Sequence, residues 1–251
     1  MADAVREIAP GARLIAAVGV PGLVLEEAAA DAEDPALDLL GPEHAAVARA
    51  VMKRRREFAT VRACARRALA RLGEPPAPIL RGERGAPVWP DGIVGSMTHC
   101  EGYRAAAVAR SRHVLSVGID AEPAGPLPPG VLDLIARPEE RARLAGLDAG
   151  RPGIPWDRLL FTAKEAVYKT WFPVARRRLD FHQAEVVLRA GPDGSAGTFT
   201  ARLLTADPAL PEALPGHWLH AAGPGLLLAA IALPAPPRSV PDLEPAGSPA
   251  P

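Results

Sequence analysis

"FTAKEAVYKTWFP", residues 161–173, is where the chain departs from its own habit. Of 29 basic residues, 26 are Arg and three are Lys, and two of the three, Lys164 and Lys169, stand here with Glu165 between them. At about 100° of rotation per residue, Leu160, Ala163, Val167 and Trp171 form one narrow apolar stripe, as in a helix with one face on a core. The spacing predicts a helix over 156–172 that Pro173 ends. Glu165 and Lys169 fall on the other side as an i,i+4 pair in the favourable order. Alone, that describes a solvated salt-bridge face contributing about 0.2–0.5 kcal/mol. Phe161 and Phe172 share this side, so the helix is expected to be covered on both faces. Charges inside a covered cleft need partners, because unpaired buried charge is expensive. A lysine ammonium is a compact point charge suited to a phosphate.

Upstream, "HVLSVGIDAEP" (113–123) reads as an apolar strand that ends in Asp120-Ala121-Glu122-Pro123. Residues two apart in extended chain point to one side, so Asp120 and Glu122 converge. The pair is either a strand-end turn or half of a hard-cation site, because Mg²⁺ takes carboxylate oxygens together with substrate phosphates. Two unit charges about 4 Å apart repel by about 4 kcal/mol at an effective dielectric of 20. Asp120, Glu122 and Glu165 are therefore expected to share a site only with a cation between them.

The rest of the chain supplies the frame. Its 251 residues suffice for one large domain or two halves with a real core. Formal net charge is zero, so no global field draws the chain to nucleic acid or anionic lipid. The apolar run Leu226–Leu233 falls far short of the roughly 20 residues of a membrane span. The N-terminus, with Asp3 and Glu7, does not read as a signal peptide. Cys64 and Cys100 are the only cysteines, which points to a reduced, cytoplasmic protein.

A helical pattern runs from Gly41-Pro42-Glu43 to about Leu72 and stops at Gly73. Residues 78–92 read as turns and strand fragments, 93–110 as two apolar runs around a polar knot, and 124–130 as a Pro/Gly linker. Helices over 131–146 and 156–172 precede strands over 184–191, 198–206, 217–223 and 226–233. An apolar run, Leu14–Val20, lies upstream, and the Pro-rich segment 234–251 reads as a disordered tail. A helix-plus-strands block occurs twice, which predicts an α+β fold of two similar halves, 1–115 and 116–233.

"VMKRRREFATVRACARRALARLG" (51–73) looks like a nucleic-acid patch until it is phased. Phe58, Ala65, Leu69 and Leu72 join Val51 in an apolar stripe, and Arg54 and Arg62 fall within about 60° of it. Arg56, Arg67 and Arg71 point away. Arg54 and Arg62 either grip a fixed anion, each bond contributing about 1.5–3 kcal/mol, or snorkel past the stripe to water. A nucleic-acid-binding module on the 53–71 helix is the non-enzymatic alternative. Zero net charge and only four Trp, two Tyr and five Phe weigh against it. His99 and Cys100, adjacent on a strand, point to opposite faces and form no catalytic pair.

Three segments together, Gly95-Ser96-Met97-Thr98-His99-Cys100, Gly118-Ile119-Asp120-Ala121-Glu122 and Phe161–Lys169, resemble the ordered signature of the 4'-phosphopantetheinyl transferases. The resemblance runs from about Lys53 to about Leu233. It is to the broad-specificity type acting on siderophore, polyketide and nonribosomal-peptide synthases. It implies two α/β halves related by a pseudo-twofold, with coenzyme A bound between them. It implies Mg²⁺-dependent (or Mn²⁺-dependent) transfer of phosphopantetheine to a serine of an acyl or peptidyl carrier protein by a monomer, releasing adenosine 3',5'-bisphosphate. Carried over by motif, Asp120, Glu122 and Glu165 are the metal carboxylates, and Glu165 also helps to deprotonate the serine. Lys164 and Lys169 bind phosphate, and Thr98 and His99 lie at the coenzyme's phosphates. Arg54 and Arg62 take the 3'-phosphate, and the loop Arg81-Gly82-Glu83-Arg84-Gly85 contacts the coenzyme. A metal-dependent hydrolase cutting the same pyrophosphate shares this metal logic and remains a second enzymatic reading.

Overall fold

Two antiparallel sheets organise the chain, which the computed structural model describes at residue 12 and over residues 22–236 apart from 32 and 37. The run Leu14–Val20 and the tail beyond 236 lie outside the described residues. Strands β1 (Val24–Ala28), β2 (Ile93–Cys100) and β3 (Tyr103–Arg110) form one sheet in the order β1-β3-β2. Strands β4 (Val114–Pro123), β5 (Ala184–Ala190), β6 (Ala196–Leu203), β7 (Ala213–Ala221) and β8 (Leu226–Pro234) form the other, in the order β4-β8-β7-β6-β5. Helices α1 (Glu43–Val47) and α2 (Met52–Arg71) accompany the first sheet. Helices α3 (Val131–Ile135), α4 (Pro138–Gly150) and α5 (Trp156–Ala175) accompany the second. The expected α+β class, with a long helix on each antiparallel sheet, is the fold observed.

Period-two alternation explains the layering. Along β3, Ala106 and Val108 pack under α2 with Cys64, Ala65, Ala68 and Leu69, while Ala105, Ala107 and Ala109 turn to the seam between the sheets. Along β8, Leu227, Ala229, Ile231 and Leu233 pack with α5, while Leu226, Leu228 and Ala230 meet that seam. In β4, Val117, Ile119 and Ala121 join the seam. Gly118 and Asp120 are left facing α5.

Two contacts lock the geometry of the site. A Cβ on Gly118 would lie 2.0 Å from the Ala166 carbonyl oxygen and 2.2 Å from Thr170 Oγ1, so only glycine lets α5 settle onto β4. At the seam, the Ile119 amide donates to Ser96 Oγ and the Ala121 amide to Thr98 Oγ1, each at 3.1 Å. Hydroxyls of the β2 edge thus satisfy amides of the β4 edge without a backbone ladder.

Several predicted boundaries change. The helix expected from Gly41 to Leu72 breaks into α1 and α2, and Val51, taken as part of the apolar stripe, is the N-cap and 73% exposed. The helix over 131–146 is two helices, α3 and α4. The polar knot is simply the end of β2. Pro173 does not end α5, which continues to Ala175 and stops where Arg176 takes a left-handed φ of 53°. The missing Pro173 amide costs one bond near a helix end, and the cap from Arg176 N–H to the Phe172 carbonyl at 3.0 Å holds the last turn.

Candidate active site

Helix α5 carries its stripe as predicted: Leu160, Ala163, Val167 and Trp171 are fully buried. Its other side is covered too, since Phe172 is buried and Tyr168 stacks on it with ring centroids 5.8 Å apart. There Lys169 Nζ donates to Asp120 Oδ1 at 2.7 Å and to the Ile119 carbonyl at 3.1 Å. Thr98 Oγ1 donates to the same Oδ1 at 3.1 Å. Asp120 is only 6% exposed, and its Oδ2 has no hydrogen-bond partner among the described residues. Burial pushes the Glu165 carboxyl above its usual range, and the Asp120 charge adds to the shift.

Asp120, Glu165 and Lys169 line a cavity of about 420 Å³, and the facing wall is basic. Arg54 and Arg62 come from α2, and Arg81 and Arg84 from the following loop. Arg62, 3% exposed, lies over the Phe58 ring at 3.2 Å from its centroid and donates from Nε to the Ile79 carbonyl at 2.8 Å. Burial lowers its guanidinium to about 9. Arg81 shares the same ring at 5.3 Å. Arg84 is a non-glycine residue held at a left-handed φ of 52°. His99 Nε2 meets Arg54 NH1 at 2.7 Å. Burial and the Arg54 charge hold its ring down to about 4, so the neutral ring accepts at Nε2.

Two predicted site residues do not line this cavity. Lys164 does not reach this cavity: its buried Nζ pairs with Glu140 at 2.9 Å and donates to the Phe181 and Ala184 carbonyls. All three of its N–H donors are spent within the fold. Glu122 is held by Arg158, NH1 to Oε2 at 3.0 Å, while Arg158 also donates to the Gly125 and Pro126 carbonyls. Asp120 and Glu122 thus each have a cationic partner within the chain, Lys169 and Arg158, while the Asp120 charge still works against ionisation of both Glu122 and Glu165. Among the described residues, no three His, Cys, Asp or Glu side chains gather closely enough to hold a metal ion. Two of the three predicted carboxylates line the cavity itself. The unpartnered Asp120 Oδ2 and the nearby Glu165 carboxyl are hard oxygen donors, and Mg²⁺-type ions often use one or two carboxylates plus substrate phosphate.

Sequence reasoning missed Tyr168 and Arg158. Phe58 is core as its place in the apolar stripe predicts, 1% exposed and packed with Leu39, Val47 and Ala59, and its ring also carries Arg62. Arg158 reads as an ordinary polar residue of a first helical turn.

Guanidiniums and carboxylates lining one cleft suit transfer chemistry on a phosphate-bearing substrate. Comparison with known proteins agrees. Residues 42–109 match the 4'-phosphopantetheinyl transferase N-terminal domain, and residues 116–221 match the 4'-phosphopantetheinyl transferase superfamily. The chain is 56% identical over 228 residues to 4'-phosphopantetheinyl transferase Svp of Streptomyces mobaraensis, spanning 89% of this chain and 90% of that protein. Its identity to PptT of Mycobacterium tuberculosis is 47% over 227 residues, 88% of this chain and 98% of the relative. Npt of Nocardia iowensis is 51% identical over 195 residues, 74% of this chain and 85% of the relative. The chain belongs to the 4'-phosphopantetheinyl transferase superfamily and is an enzyme of that activity.

Proposed function

We propose that the enzyme transfers 4'-phosphopantetheine from coenzyme A to a serine of acyl and peptidyl carrier proteins, with Mg²⁺ or Mn²⁺, releasing adenosine 3',5'-bisphosphate. Its carriers are those of fatty acid, polyketide, nonribosomal-peptide and siderophore synthesis. One observation carries this reading: a single cavity with Arg54 and Arg62 on one wall and Asp120, Glu165 and Lys169 on the other. The reading assigns nucleotide contacts to 1–115 and catalysis to 116–233, a division supported by the two family matches at 42–109 and 116–221.

Arg54, Arg62, Arg81 and Arg84 bind the anionic nucleotide end, with His99 neutral beside Arg54. Lys169 spends two donors on Ile119 and Asp120 and keeps a third for a phosphate oxygen. Thr98 fixes Asp120. The serine oxygen bonds to the pantetheine-side phosphorus while the bond from that phosphorus to the bridging oxygen breaks. The bridging oxygen leaves with adenosine bisphosphate, and the serine proton passes to Glu165. A carboxyl raised by burial is a better base for that proton than a solvated one. Asp120, Glu165 and the neighbouring Glu122 would hold the divalent cation, which supplies neutralisation of the diphosphate charge when bound.

Both walls of the cavity come from one chain, which supports action as a monomer. Cys64 and Cys100 are unpaired, which supports a reducing compartment such as the cytoplasm. No helix among the described residues is long and apolar enough to cross a membrane. The test is incubation with coenzyme A, Mg²⁺ and several apo-carriers, followed by weighing of the carriers. A gain of one phosphopantetheine mass is expected. Coenzyme A cleaved with no carrier modified would establish the hydrolase instead.

A further inference from the structure

Glu43 belongs to none of the three motifs, yet its carboxylate is completely buried. Oε1 accepts from the Ile79 amide at 2.7 Å and Oε2 from the Leu40 amide at 2.8 Å. Arg66 NH1 donates to both oxygens, at 2.9 and 3.0 Å, and its NH2 donates to the Asp38 carbonyl. Arg62 Nε stands 3.8 Å from Oε1. Arg66 does not line the cavity, whereas Arg62 does. Among the described residues, Arg62 is therefore the one cavity guanidinium in ion-pair reach of Glu43. Arg54, Arg66 and Arg81 all disfavour its charge, and Glu43 is the leading influence that favours it. The Ile79 residue closes the geometry, since its amide binds Glu43 and its carbonyl binds Arg62.

We propose that Glu43 is a positioning residue that fixes Arg62 as the charged floor of the cavity, where Arg62 binds an anionic group of coenzyme A. This deepens the reading above and rests on its use of coenzyme A. Arg62 alone is a buried cation among three others: the Ile79 and Phe58 carbonyls hold its guanidinium, but neither offsets its charge. A fixed carboxylate behind it supplies that charge before the ligand arrives.

The experiment compares Glu43→Gln with the wild type. Glutamine keeps the volume and an acceptor but removes the charge. The KM for coenzyme A is expected to rise roughly tenfold, the effect of losing one well-oriented charge-assisted bond. The kcat and the carrier KM stay at wild-type values, and the calorimetric Kd for coenzyme A without carrier rises in parallel. Arg62→Gln gives the same pattern, and the double variant is no worse than Arg62→Gln alone. Additive losses in the double variant, or an unchanged coenzyme A affinity in folded Glu43→Gln, overturn the proposal. If Glu43→Gln does not fold, Glu43→Asp carries the test, because it keeps the charge and withdraws it by one methylene. A raised coenzyme A KM at constant kcat then supports the proposal, and an unchanged KM overturns it. A wild-type enzyme that loads no carrier defeats the functional reading instead, while calorimetry still reports on Glu43.

Discussion

Helices α2 and α5 are each 20 residues long, each lies on an antiparallel sheet, and each is preceded by a helix that lends it a buried glutamate. Glu43 of α1 accepts from the amide three residues upstream and from Ile79, and Glu140 of α4 accepts from the amide three residues upstream and from Val186. Each glutamate meets cations of the long helix, Arg62 and Arg66 in the first half and Lys164 in the second. No residue identity marks this repeat in the sequence; the recurrence is one of hydrogen-bond roles. The two halves then diverge. Beside Glu43, Arg62 faces the cavity, whereas beside Glu140 the ammonium of Lys164 is wholly consumed. The difference teaches that one structural device was kept in both halves and opened toward the ligand in only one. Under the proposed reading the halves also divide the chemistry: α2 presents planar guanidiniums to the nucleotide end, and α5 presents an acid and an ammonium to the reacting phosphate.

The largest test of that division is Asp120→Ala. It removes the partner of Lys169 and Thr98 and one of the two cavity carboxylates. A fall in kcat/KM of about a thousandfold, equal to about 4 kcal/mol, is expected with the thermal transition retained. Loss below tenfold would mean that the acid wall is not where the reaction runs.

Lys164→Met separates the two lysines of the opening stretch. It strands Glu140 in the core, and breaking a buried pair by removing one partner costs about 3–5 kcal/mol. The side chains of Lys164 and Glu140 are each 1% exposed, so solvent offers little relief. Denaturant titration should show that loss, while the KM for coenzyme A in the folded fraction stays unchanged. A coenzyme A defect without a stability defect would return Lys164 to the ligand.

This pair also shows how far the sequence was legible. The stripe of α5, the strand that carries Asp120 and the basic face of α2 follow from local periodicity and were readable. Gly118 before Asp120 was visible as a break, but its purpose was not, because the contact is with Ala166 and Thr170 far along the chain. Partner choice was equally hidden. Lys164 with Glu140 and Arg158 with Glu122 are set by how strand and helix register in three dimensions. The residues most responsible for the corrections, Glu140 and Arg158, sit in helix first turns, where an acid or an arginine is unremarkable. Pro173 misled for the opposite reason: a strong local signal was overridden by packing of the last turn.

Thr98→Val sharpens the seam between the halves. The hydroxyl is at once acceptor for the Ala121 amide and donor to Asp120. Valine leaves a buried amide unsatisfied and one carboxylate oxygen with a single donor, a loss of about 1–3 kcal/mol. Chemical denaturation measures it, and Thr98→Ser, which keeps the hydroxyl, should recover most of it.

The smallest effect concerns the histidine beside the arginine wall. The His99 ring is held to about 4 in the folded protein against 6.5 ordinarily. Between those values the unfolded chain takes up a proton that the folded chain refuses. Stability contributed by the neutral ring is therefore complete above about pH 6.5 and is lost progressively as pH falls toward 4. Arg54 and Arg104 oppose protonation, as does Lys169, while Glu57, with its carboxylate 3.9 Å from Nδ1, favours it. The side chain is 39% exposed, so water screens the balance and the slope is shallow. In His99→Gln the stability curve between pH 4 and 6.5 should flatten relative to wild type. Guanidinium groups as a class stay protonated throughout this range. Acid would then loosen the α2 wall without discharging it, and coenzyme A binding, measured by calorimetry at pH 5, should be retained in both proteins. Identical pH slopes for the two would show that His99 is solvated and plays no part in holding Arg54.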